Sequence, residues 1–224
     1  RDKLTFIVDE PVSSFGLWAE QLVAESLGKH GRGILPVAGE PAGDPGEYGA
    51  DRVIVAIEGP GANNAAAVQA LRDAGLPVLT LTVEGAADLG ALMVLWEFAV
   101  ATAGWVLEVN PFDQPNVQSA KDKTNEVLAS APPQIAAADD GALRALFEAG
   151  APSYLAIQAF CAPSAAVEAA AADLRALIRA RTGMATTFGY GPRYLHSTGQ
   201  LHKGGPPTGR FLQIVADSSP DIDA

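Results

Sequence analysis

From Leu4 to Leu107 the sequence alternates short apolar runs rich in β-formers with longer segments of helical period, and this alternation restricts the fold more tightly than any other property of the chain. Leu4–Val8 (LTFIV) reads as a buried strand. Ser13–Leu27 carries Phe15, Leu17, Trp18, Leu22, Val23 and Leu27 near the helical period, with Ser13 or Ser14 as N-cap and Gly28 as the C-terminal stop. Further strands are read at Gly33–Val37, Arg52–Ile57 and Pro77–Val83. Between them lie a Gly/Pro/Glu-rich loop reaching about Ala50 and a helix over Asn63–Ala74, and a long apolar helix follows over Asp88–Leu107. Strands separated by helices of this length imply βαβ units and a parallel sheet covered on both faces. In such sheets ligands sit beyond the carboxyl ends of the strands, so the loops opening there are the first places to look for chemistry.

The second half repeats the alternation in a more Ala-rich composition. Asn116–Ser130 reads as an amphipathic charged helix, followed by a hinge at Ala131-Pro132-Pro133. Helices are expected at Gly141–Ala149 and Ala165–Arg181, the latter closed by Gly183, and strands at Ser153–Phe160, Ala185–Phe188 and Arg210–Val215. The expected architecture is α/β: a doubly wound parallel sheet over 1–130 and a smaller C-terminal α/β appendage over 131–224. The appendage delivers a polar loop, Gly189–Gly209, that holds Tyr190, Arg193, Tyr194, His196, His202 and Lys203. A structureless loop of about twenty residues is unusual in a compact domain and points to function or disorder. The acidic tail from Asp217 is expected to fray.

Composition narrows the function classes. Apolar residues make up 48% of the chain and charged residues 18%, which supports a packed core over disorder. Fifteen basic against 26 acidic residues give a net charge of −11 with no basic stripe, which argues against nucleic acid and anionic membrane surfaces as partners. The lone Cys161 forms no internal disulfide, and no Cys/His cluster has metal-ligand spacing. The apolar stretch Leu89–Val109 is broken by Glu97 and Gly104, so it reads as a buried core helix rather than a membrane span. Without a signal peptide the chain reads as soluble and cytoplasmic. Opening on Arg1-Asp2-Lys3, it reads as a piece of a longer polypeptide.

Two segments carry candidate chemistry. Ala24-Glu25-Ser26-Leu27-Gly28-Lys29 puts Glu25 in the last turn of the first helix, where a carboxylate opposes the macrodipole. Glu25 is either a solvated helix-end residue or a general base kept at a cleft. In Asn110-Pro111-Phe112-Asp113-Gln114-Pro115-Asn116, Pro115 suits the first turn of the next helix and Asp113 or Gln114 can cap it. Lys121 then stands one to two turns in, on the side of Val117 and Gln118. Ser13 and Ser14 either cap the first helix or hold an anion at its N-terminus, and His30 reads as a solvent-facing loop residue.

AESLGK followed by NPFDQPNVQSAK resembles the phosphoglucose isomerase family, in which an ES-x-GK segment carries the catalytic glutamate and a later FDQ-x-x-V-x-x-x-K segment the catalytic lysine. The opening FIVDEPVSSFGLWAEQLVAESLGK and the ending GPRYLHSTGQLHKGGPPTGRFLQI look most like the isomerase part of bifunctional transaldolase/phosphoglucose isomerase fusions. The resemblance implies a sugar-isomerase (SIS) type sheet and interconversion of glucose 6-phosphate and fructose 6-phosphate through a cis-enediolate. It assigns proton transfer between C2 and C1 to Glu25, and ring opening to Lys121 and a histidine. That family's histidine lies between the two segments, whereas Gly31–Val109 here contains none. His202, in an H-x-x-GG-like run, is the candidate and His196 its rival; Ser13, Ser14, Lys29, Gln114, His196 and Lys203 are expected to bind substrate. No metal or organic cofactor is implied. The family's Ser/Thr-rich phosphate loop is absent, so the expected partners are a missing N-terminal SIS-like domain, the sugar phosphate and a homodimer mate. The alternative reading is a sugar-phosphate-binding or assembly module, inactive without that domain, and a fused transaldolase would place its Schiff-base lysine outside this chain.

Overall fold

The computed structural model describes residues 1–113, 115–130 and 136–216. Strands β1 (Lys3–Val8), β2 (Leu35–Val37), β3 (Arg52–Glu58) and β4 (Val78–Thr82) form a parallel sheet in the order β2-β1-β3-β4. Thr5 of β1 pairs with Val37 on one side and Ile54 on the other. Helix α1 (Phe15–Leu27) joins β1 to β2, α2 (Ala65–Asp73) joins β3 to β4, and α3 (Leu89–Leu107) follows β4. Because the chain steps outward from β1 in opposite directions, right-handed crossovers put these helices on both faces. Phe6, Val55 and Ile57 pack against Phe15, Val23 and Leu27 of α1 and Leu92 and Trp96 of α3. Ile7, Ile54 and Ala56 pack on the other face against Val68 and Leu71 of α2. Each fully buried side chain of this size contributes about 1.5–3 kcal/mol, and burial on both faces is why LTFIV and RVIVAI are unbroken apolar runs.

The chain continues through α4 (Asn116–Leu128) and α5 (Asp140–Phe147) into a second parallel sheet. There β5 (Tyr154–Phe160) lies between β6 (Ala185–Tyr190) and β7 (Gly209–Val215). Helix α6 (Ala165–Thr182) makes the first crossover and ends as expected at Gly183, whose φ of 70° suits a residue without Cβ. Leu155, Ile157, Ile178 and Met184 form the core on one face. On the other, Tyr154, Ala156 and Ala185 meet Ala24, Leu35 and Val37 of the first unit.

Charges stitch the two sheets together. Glu40, after β2, pairs with Arg52 at 3.0 Å, both side chains being fully buried. Its other oxygen accepts from the backbone and hydroxyl of Thr186 in β6, at 3.0 and 2.6 Å. Arg52 also donates to the Met184 carbonyl and the Thr5 hydroxyl, while Arg179 of α6 pairs with Glu47 at 3.0 Å. Buried ions survive only when partnered this fully, so Glu40 makes an interior joint out of a segment, Gly39–Tyr48, that is otherwise exposed or half-buried.

The structure corrects four expectations. Gly189–Gly209 is not structureless: β6 runs to Tyr190, a 3₁₀ turn covers Arg193–His196, and α7 spans Gly199–Gly204. Tyr194, Thr198, Gln200 and Leu201 in it are buried. Helix α3 buries only Leu92, Trp96, Val100 and Gly104; Phe98 is 71% exposed and Trp105 80%. It is long and apolar enough to cross a bilayer by length and composition, yet one stripe of it packs on α1. Ser14 stands at the N-cap of α1 without a side-chain cap, and the Ser13 hydroxyl donates to Glu10 instead, at 2.6 Å. Pro115 occupies the N-cap of α4, so Asp113 does not cap it. Gln114, the Ala131-Pro132-Pro133 hinge and the tail from Asp217 lie outside the described residues.

Candidate functional site

Helices antiparallel to their strands end at the amino edge of a parallel sheet, and Glu25 accordingly lies there, not at the carboxyl edge where such sheets bind ligands. It lines a cleft of about 280 Å³ with Trp18, Gln21, Leu22 and Ser26 of α1 and Pro111, Phe112 and Asp113. Trp18, Gln21 and Glu25 are spaced by three and four residues, so they share one helical face. An apolar cleft of about 390 Å³ adjoins it, sharing Leu22, Ser26, Pro111 and Phe112 and adding Phe98 and Ala101 of α3.

The second wall is made by a sharp reversal after α3. Glu108 takes φ 54° and its amide returns to Gly104 and Trp105. A Cβ on Gly104 would stand 3.0 Å from the Pro111 ring, so the glycine lets the chain fold back across the helix end. Asn110 Oδ1 then accepts from the Phe112 amide at 3.0 Å, shaping the turn.

Lys29 locks this wall to α1. Its side chain is fully buried, and Nζ donates to the carbonyls of Asn110, at 2.8 Å, and Asp113. It also pairs with the Asp113 carboxylate at 3.0 Å. A third segment joins through Gln200 of α7, whose Nε2 donates to the Gly28 carbonyl at 2.9 Å and to Asn116 Oδ1 at 2.8 Å. The Gly31 amide donates to the Gly204 carbonyl at 2.8 Å. The glycines permit this approach: a Cβ on Gly28 would lie 2.4 Å from the Leu201 Cα. The ES-x-GK, NPFDQPN and GQLHKGG segments thus meet at one end of α1.

The other candidates stand elsewhere. His202 faces away from Gln200: its Nδ1 lies 2.8 Å from the Tyr154 hydroxyl, and its ring stacks on Tyr154 and meets Phe211 edge-on. Burial, helped by the neighbouring Lys203 charge, pushes its pKa down to about 4, so the ring is neutral at pH 7. The side chains of Lys121, His196 and Lys203 are exposed, as is His30, and neither histidine nor Lys121 lines the cleft around Glu25. The Lys29 ammonium is engaged with Asn110 and Asp113. Ser13 and Ser14 sit at the far end of α1, roughly 16 Å from Glu25 at 1.5 Å per residue, too far for one hexose phosphate to touch both. Sequence reasoning missed Gln21, Trp18 and Gln200. The spacing of the first two from Glu25 was a usable signal, whereas Gln200 carried none.

Fold and site define an α/β protein with parallel sheets and a carboxylate-bearing cleft lined by two segments and braced by a third, all distant in sequence. Among curated proteins the chain is similar to glucose-6-phosphate isomerase of Leptospira biflexa, 30% identical over 157 residues, covering 51% of this chain and 35% of that one. The glucose-6-phosphate isomerase of Fusobacterium nucleatum is 32% identical over 143 residues, covering 46% and 32%. That of Enterococcus faecalis is 30% identical over 146 residues, covering 48% and 32%. The chain therefore spans about a third of the length of the curated relatives it matches. No family profile matches it, and no solved structure does. These similarities support a place for the chain in the phosphoglucose isomerase family.

Proposed function

We propose that this chain is the glutamate-bearing part of a glucose-6-phosphate isomerase, in which Glu25 moves the proton between C2 and C1 of the open-chain sugar. The observation that carries the reading is the convergence of the three motif segments through Lys29 and Gln200 at the end of α1. A carboxylate on a helix wedged between α7 and the Asn110–Asp113 turn keeps its position while taking a proton from one carbon and returning it to the next. Ring opening falls to Lys121 and to His202 or His196, none of which lines the Glu25 cleft within this chain, so they act on the sugar only in the assembled enzyme. The phosphate-binding loop comes from an N-terminal SIS-like domain, and the exposed Phe98, Trp105 and Phe112 give that domain, or a second copy, an apolar face to cover. Resemblance to the fused enzymes extends the proposal to a transaldolase upstream, and a cytoplasmic location follows from the same reading.

A second reading, a sugar-phosphate-binding or assembly module, is favoured by one observation: neither histidine of the 189–209 segment lines the Glu25 cleft. The intact polypeptide separates the two. Glu25→Gln should lower kcat for glucose 6-phosphate at least about 10²-fold, the usual scale of general base catalysis, with unchanged stability. Turnover near that of the unaltered protein would remove Glu25 from the reaction, and binding of the sugar phosphate without any turnover would favour the module.

A further inference from the structure

The opposite end of α1 opens on a cleft of about 480 Å³ that the proposed isomerase chemistry leaves unused. It lies beyond the carboxyl ends of three parallel strands: Val8 ends β1, Ala38 and Gly39 follow β2, and Tyr190 ends β6. Open α/β sheets bind ligands at this edge. Between β1 and β3 the edge is filled, because Asp9 accepts from the Gly59 amide and from the Asn64 amide and side chain. The space is on the β6 side.

Its charges are unusual. Arg175 of α6 is buried, and all its nitrogens donate to neutral acceptors: the carbonyls of Ala38, Gly39 and Thr186 and the Thr186 hydroxyl. No carboxylate among the described residues pairs with it within 4 Å. Arg193, on the 3₁₀ turn after β6, is exposed on the rim with no hydrogen bond or ion pair among the described residues. Behind them Glu20, on the α1 face of Ser13, Gly16 and Leu17, is 6% exposed, and its Oε2 has no hydrogen-bond partner. An unsatisfied buried polar atom in a folded protein calls for a reason, and here one stands behind Arg175 and Arg193 at the N-terminus of α1, where the helix dipole favours negative charge.

We propose that this cleft is a second ligand site, separate from Glu25, for a small organic oxyanion, a carboxylate or phosphate ester, docked by Arg193 against the N-terminus of α1. Ser13 and Ser14 stand where such an anion would sit, and Phe188 and Leu17 give its carbon skeleton an apolar wall. Glu20 lies behind the lining and sets the charge felt there through Arg175 and Arg193. The groups facing it are Arg175 from α6, Arg193 from the turn after β6 and the Ala38 backbone after β2; Glu40, Arg52 and Arg179 act on Arg175 from behind, and Glu168 of α6 stands at the rim. With Glu20 protonated the charge behind the cleft is more positive by one, so anions bind more tightly in mildly acidic solution.

Sulfate is the probe, since its charge does not change between pH 6 and 8. Titration calorimetry at low ionic strength on the intact protein should give a site, besides any sulfate held by the phosphate-binding loop, that weakens from pH 6 to pH 8. Arg193→Ala, an exposed change that leaves the core alone, should weaken it at least about tenfold. Glu20→Gln should abolish the pH dependence, while Glu25→Gln leaves binding unaltered and so keeps this outcome independent of the isomerase reading. Equal sulfate affinity in Arg193→Ala, or loss of binding with Glu25→Gln alone, overturns the proposal. A carboxylate and a phosphate ester of equal size, titrated next, identify which oxyanion the site prefers.

Discussion

Glu20 offers the sharpest test of the energetics, because its buried carboxyl ties stability to pH with a definite sign. Burial lifts its pKa from 4.5 to about 7, against the opposing pull of Arg175, Arg193 and the Ala38 amide. Between those values the folded state holds a proton that the unfolded chain releases. Stability therefore falls as pH rises through the window, and the loss is complete above about pH 7. At about 1.4 kcal/mol per pH unit, the penalty reaches about 3 kcal/mol. Glu20→Gln keeps the shape and removes the titration, so its packing effect is the same at every pH. Urea unfolding of the protein and the variant at pH 4.5 and pH 8 isolates the ionisation. The variant should gain about 3 kcal/mol on the parent between the two conditions, or about 6–12 °C in thermal midpoint for a chain of this size. Parallel pH profiles would refute the reasoning, since they would mean that Glu20 ionises in the fold as readily as in water.

Other outcomes follow from the same structure. Glu40→Ala leaves Arg52 buried without its carboxylate and strips Thr186 of an acceptor, and should cost about 3–5 kcal/mol in urea unfolding. The lowered pKa of His202 means that stability is full above pH 6.5 and is lost as pH falls towards 4; His202→Phe, which preserves the ring stack on Tyr154, should flatten that part of the profile. Lys29→Met removes the ammonium that holds Asn110 and Asp113, so the Phe112 amide should exchange faster with solvent, at a stability cost of about 1–3 kcal/mol.

The strand and helix alternation was legible because each element depends on its own residues: unbroken apolar runs for the strands, a 3.6 period for the helices, a glycine stop at Gly28, a left-handed Gly183. What failed to show depends on partners far along the chain. Gly189–Gly209 has too little apolar period to announce a helix, yet Leu201 is held in a socket made by Gly28 and Gly33, more than 160 residues upstream. Helix α3 is apolar on every side, so its sequence names no inner face; Phe6 and Phe15, packed around Trp96, choose it. The Glu40–Arg52–Thr186 joint is invisible for the same reason: each residue alone looks like a surface polar group. Glu25 itself was legible as a residue of interest, but the cleft that gives it meaning required Lys29 to fold the Asn110–Asp113 turn against it.

The stitching of the two sheets bears on how such a chain can be inherited. A break in composition near residue 130 looks like a seam along which recombination could exchange halves. Yet a newcomer in place of the second half would have to supply an acceptor for Arg52, a donor pair for Glu40 and an amide for the Gly28 carbonyl, all at fixed positions. Few unrelated domains meet three such conditions together. The halves should therefore travel through lineages as one block, changing by substitution within each and not by shuffling between them.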